Sequence, residues 1–137
     1  MEFVILGIPQ AKQSVKFTMS GKTYTKEHIK IAQNSMTYQI MSQLPRGYKP
    51  ITEAVEIQYT FGFPLTKDMK KETLQKIQCG DQVFRPTKPD IDNLQKTVND
   101  AMNGVVYLDD SQIVKISSVK IYSETPKIII NVQPLRN

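Results

Sequence analysis

The sequence predicts an α+β (mixed α/β) fold: a small mixed sheet packed with two or three helices, one domain over residues 1–137. Three observations carry that reading. "AVEIQYTFGF" (54–63) sets Val55, Ile57, Tyr59 and Phe61 against Glu56, Gln58 and Thr60, the period of two that marks a half-buried strand. In residues 92–103, Leu94, Val98, Ala101 and Met102 fall on one arc at about 100° per residue. Asp92, Lys96, Asn99, Asp100 and Asn103 fall on the opposite arc, so this segment reads as a helix with one buried face. The order is strand, helix, strand, helix, helix, then a β-rich end.

"EFVILG" is the first strand, closed by Gly7 and Pro9. Residues 10–25 are polar and basic, with "SGK" as a turn candidate, and read as a loop or a hairpin around "KFT" and "KTYT". Thr25 suits the N-cap of a helix from Lys26 to about Gln43, with Ile29, Ala32, Met36, Ile40 and Leu44 at helical spacing; "PRGYKP" ends it. After the strand at 54–63, "PLTKDMKKETLQKIQCG" reads as a short, basic, exposed helix ending near Gly80. "DQVFRPTKP" is a loop, because Pro89 disfavours helix at Lys88. The helix at 92–103 should stop at Gly104. "VVY" then gives a short strand and "LDDS" a turn. "QIVKISSVKIYS" and "KIIINVQ" form two further strands around a turn at Pro126.

Composition excludes several classes. Apolar residues at 39% and charged residues at 23% are those of a soluble globular protein, and no apolar run is long enough to span a membrane. Glu2 and the lack of a basic segment before the first apolar run argue against a signal peptide, so a cytoplasmic protein is expected. With one cysteine, Cys79, and one histidine, His28, neither a disulfide framework nor a Cys- or His-rich metal site can form, and any metal must be held by oxygen. Charge is uneven. Residues 1–50 carry seven Lys/Arg against two Glu, whereas residues 88–112 hold five of the seven aspartates against Lys88 and Lys96. A mildly basic chain is often no more than a soluble one. A basic region beside a compact acidic cluster also fits a polyanion held next to a hard metal ion.

The acids come in two groups. Asp90 and Asp92 stand two apart where the helix begins; capping explains one of them, with "DNLQ" as a capping box that has Asp92 at the N-cap and Gln95 at N3. Asp109 and Asp110 lie in the turn, for which ordinary turn chemistry is the plain explanation. The functional alternative brings that turn back along the helix, about 18 Å long, so that three or four carboxylates converge on a Mg2+ ion. Lys96 is either an i,i+4 ion-pair partner of Asp92 or a cation that orients water and stabilises the transition state, with Asp100 positioning it. An EF-hand fails because Leu94 occupies a ligand position, and a phosphatase-type Asp-x-Asp fails because "FRPTK", not an apolar strand, precedes it.

"KPDIDNLQKTVNDAMNGVVYLDDSQI" resembles the signature of the RusA family of Holliday-junction resolvases, small endodeoxyribonucleases of bacteria and their phages. Within that window only Met102 departs from the pattern, in place of leucine, and "GIPQAKQSVKF…GKTYT" is similar to the family's opening segment. The resemblance implies metal ligation by Asp90, Asp92 and Asp110 with Asp109 beside them, and an essential cation at Lys96. It further implies a homodimer, dependent on Mg2+ with Mn2+ as a substitute, that makes paired nicks across four-way junction DNA. No membrane and no small-molecule cofactor are expected. Lys12, Lys16, Lys22, Lys26 and Lys88 are the candidate DNA contacts; the arginines usual in the family's opening segment are replaced here by "QSVK". The alternative is a non-catalytic basic nucleic-acid-binding module with a structural acidic cluster.

Overall fold

In the computed structural model, residues 1–11 and 34–136 are described. They form strands β1 (Glu2–Leu6), β2 (Ala54–Phe63), β3 (Ile113–Tyr122) and β4 (Lys127–Leu135). Helix α1 covers residues 34–42 within the described part, followed by α2 (Lys71–Gln78) and α3 (Ile91–Met102). The strands make one mixed sheet in the order β1-β4-β2-β3; β4 is antiparallel to both neighbours, and β2 runs parallel to β3. Parallel neighbours need a long crossover, and residues 64–112, carrying α2 and α3, supply it. The expected α+β architecture is what forms.

The alternation in β2 does its work on one face. Val55, Ile57, Tyr59, Phe61 and Phe63 are buried together with Phe3 and Ile5 of β1 and Ile128, Ile130 and Val132 of β4. Leu94, Val98, Ala101 and Met102 of α3 close over them, joined by Met36 and Ile40 of α1. Thr97 is buried on the same side of α3, its hydroxyl donating to Asn93 O at 2.9 Å. Gly104 ends α3 as expected: its φ of +77° is open to glycine and strained for other residues.

The outer edge of β1 is closed by side chains. Gln43 accepts from Val4 N at 2.9 Å and donates to Val4 O at 2.8 Å, while Gln39 accepts from Leu6 N at 3.2 Å. Two glutamine amides thus take the place of a neighbouring strand.

One element differs from expectation. "VVY" is not a strand: residues 104–106 form a tight turn, and Tyr107 makes only isolated bridges to Ile51 and Asn103. The segment is too short for a ladder because Val105 N and Val106 N are both drawn back to Met102 O. Val106 and Tyr107 are apolar because they are buried plugs, not strand residues.

Candidate active site

The start of α3 sets the first acidic pair. Asp90, not Asp92, is the N-cap: its backbone is extended (φ −69°, ψ 146°), and Leu94 N donates to Asp90 O at 3.1 Å to close the first turn. The expected capping box is therefore absent. Asp90 makes no side-chain cap bond, Asp92 lies inside the first turn, and Gln95 instead accepts from Ser118 Oγ of β3. Both carboxylates are exposed and engage no hydrogen-bond or ion-pair partner among the described residues. They face the positive end of the helix dipole, which favours negative charge there by about 0.3–1 kcal/mol. Lys96 is exposed one turn on, and no ion pair joins it to Asp92 among the described residues. The i,i+4 pairing that would have made it a purely structural lysine is not realised.

The second acidic pair is built differently. Asp109 caps a 3-10 turn, Asp110–Gln112, accepting from Ser111 N at 3.0 Å while Gln112 Oε1 accepts from Asp109 N at 2.8 Å. The capping box thus forms here, on "DDSQ". The Ser111 contact lowers the Asp109 pKa below the usual aspartate value. A carboxylate lowered on folding stabilises the native turn above its ordinary pKa, and that contribution is lost as pH falls through the lowered value. Gln112, whose role the sequence did not disclose beyond its place in the motif, also donates from Nε2 to Ile51 O at 2.7 Å and Glu53 O at 2.8 Å. Both ends of one amide therefore fix the turn that carries Asp110. Tyr48 adds a bond from its hydroxyl to Val106 O at 2.6 Å.

Among the described residues these two groups are not brought together as a metal site. Lys120 reaches Pro89 O, Ser118 reaches Gln95, and Tyr107 reaches Asn99 O at 2.8 Å, so β3 and its lead-in run opposite to α3. Asp110 consequently lies towards the C-terminal half of α3. Burial raises the pKa of Tyr107 strongly, and the negative charges of Asp110, Asp100 and Asp109 raise it further. Among the described residues no three acidic, histidine or cysteine side chains come together as a metal site. The chain regains the start of α3 only at Ser118 and Lys120 of β3, beyond the turn that carries Asp109 and Asp110.

Of the candidate DNA contacts, Lys88 is exposed in the loop before α3, and Lys12, Lys16, Lys22 and Lys26 lie outside the described residues. No helix among the described residues is long and apolar enough to cross a membrane.

The model of the endodeoxyribonuclease RusA family matches residues 7–133, a span that takes in β2, β3, most of β4, α3 and both acidic pairs. The chain is accordingly a small endodeoxyribonuclease by family. The chain belongs to the RusA family. Membership implies a Holliday-junction-resolving endonuclease, one that acts on junction DNA with a divalent metal. The chain is also 28% identical over 135 residues to the uncharacterized protein YqaN of Bacillus subtilis (strain 168), with 97% of this chain and 95% of YqaN covered.

Proposed function

We propose that this chain is a Mg2+-dependent, structure-selective endodeoxyribonuclease that resolves four-way junctions by paired symmetric nicks as a homodimer, in DNA recombination and repair. One observation carries the reading, the family match that runs nearly the length of the chain; the acids at the start of α3 agree with it, being exposed carboxylates with no protein partner among the described residues. Such a pair fits a hard divalent cation, which takes one or two carboxylates plus waters and a substrate phosphate. Asp90 and Asp92 would hold it, and when bound it supplies an activated water and charge neutralisation at the scissile phosphodiester. Lys96, one helical turn beyond Asp92, presents its ammonium to the charge that develops on the phosphate. Lys88, beside the pair, and the basic opening segment draw the DNA backbone in against the local negative charge.

Asp110 enters through the second protomer. A closed two-fold dimer makes isologous contacts, so it can set Asp110 of one copy, with Asp109 behind it, beside the Asp90–Asp92 pair of the other. The two sites then face symmetrically related strands of the junction.

A synthetic four-way junction incubated with the protein, with and without Mg2+, and run on a denaturing gel gives symmetric nicks only with metal. Binding without cutting in Mg2+ or Mn2+ would leave a non-catalytic module. Light scattering gives twice the 15.6 kDa chain mass; a monomer that makes paired cuts would overturn the dimer. Mixing inactive Asp90→Asn and Asp110→Asn proteins restores single nicks, because a mixed dimer then keeps one site with both native aspartates. No recovery after verified subunit exchange would return Asp110 to its own chain's site. Junction binding falls steeply with salt and survives EDTA or Ca2+, since each phosphate contact contributes a slope of about −0.9 in log K against log salt. A flat response would remove the lysines from the DNA surface.

A further inference from the structure

We infer that Lys120 and Arg85 are positioning residues for the metal-binding pair, acting through the backbone of the loop before it; the inference rests on the reading of Asp90 and Asp92 as that pair. Three consecutive carbonyls, those of Thr87, Lys88 and Pro89, lie immediately before Asp90, and each accepts a hydrogen bond from a cationic side chain. Lys120 Nζ donates to Thr87 O at 2.6 Å and to Pro89 O at 2.8 Å. Arg85 Nη1 donates to Lys88 O between them. Hydrogen bonds from an ionised donor are about twice as strong as neutral ones.

Both cations are themselves fixed. Lys120 lies in β3, opposite Phe61 of β2, and its carbonyl accepts from Arg85 N at 3.0 Å. The Arg85 guanidinium stands 4.1 Å over the ring of buried Phe63. Tyr122 N donates to Val83 O at 3.0 Å, so residues 83–85 run along the end of β3. The loop is thereby tied to the sheet at the point where it delivers Asp90, and the Leu94 N to Asp90 O bond passes that placement into α3. Lys120 is not a catalytic cation, because two carbonyls already occupy its ammonium. Its effect is exerted on where the Asp90 and Asp92 carboxylates point, and groups that orient metal ligands typically carry 10–100-fold in metal affinity or activity.

Lys120→Met keeps the aliphatic stem and removes the donors. Mn2+ binding by electron paramagnetic resonance on the homodimer weakens about tenfold to a hundredfold, and the Mg2+ concentration for half-maximal junction cleavage rises in parallel. Junction binding in EDTA is unchanged, and Lys120→Arg, which keeps a charged donor, recovers most of the loss. Wild-type Mn2+ affinity and Mg2+ dependence in Lys120→Met would overturn the inference, as would a cleavage defect matched by an equal loss of junction binding. Should Lys120→Met not melt cooperatively, Arg85→Lys carries the same two readouts, since it loses the reach to Lys88 O. Asp90→Asn separates the two levels: wild-type metal binding and cleavage in that variant sinks the site itself. An inactive Asp90→Asn beside a normal Lys120→Met sinks only the positioning role.

Discussion

Asp90→Asn abolishes Mg2+-dependent junction cleavage while junction binding persists or tightens. The amide removes one of two carboxylates offered to the cation from the start of α3. Losing a ligand costs more than the 10–100-fold typical of losing a group that merely supports one, so the expected fall is at least about a hundredfold. Binding moves the other way because one negative charge fewer faces the phosphates. The fold is little affected: Asp90 is exposed and makes no cap bond, and such surface changes usually stay within about 0.5 kcal/mol. A retained melting temperature with lost nicking is the signature to look for. If Asp90→Asn, Asp92→Asn and Asp110→Asn all nick at the wild-type rate, the site lies elsewhere.

Leu94→Ala produces the largest loss of stability. Leu94 is fully buried between α3 and the sheet, and truncating such a leucine costs about 2–5 kcal/mol through lost burial and the cavity left behind. Urea unfolding shows it as a lower midpoint with an unchanged slope. Phe84→Ala is the control: Phe84 is 64% exposed despite its size, and its removal has little effect. A change below about 1 kcal/mol for Leu94→Ala would contradict the burial of this face of α3 in the core.

How much could be read from the sequence follows the range of the signal. β2 and α3 were legible because their periodicities are local and each buries a single face. The sheet order was not: β2 and β3 pair in parallel across residues 64–112, and no local pattern encodes a partner that distant. The N-cap falls two residues earlier than the capping pattern suggests, since "DNLQ" and "DDSQ" both satisfy that pattern and only the second forms a capping box. The acids of the candidate site were legible as residues, but their placement relative to one another depends on where β3 regains the start of α3. Lys120 left almost no trace. The hint lay in its parity, for it shares the α3-facing side of β3 with Ile116 and Ser118, a poor place for a lysine with no task.

The glutamines beside β1 limit how two copies of this chain can meet. An edge strand normally displays spare backbone valences that a second molecule can adopt by continuing the sheet. Here Val4 has both its amide and its carbonyl taken, and Leu6 its amide, by side chains of the same molecule. Extension of the sheet through β1 would have to break these bonds and gain nothing net in hydrogen bonding. Self-association must therefore be sought on faces, loops or the opposite margin at β3, and mutations at Gln39 or Gln43 that bare this border would favour open-ended stacking into aggregates over a closed pair.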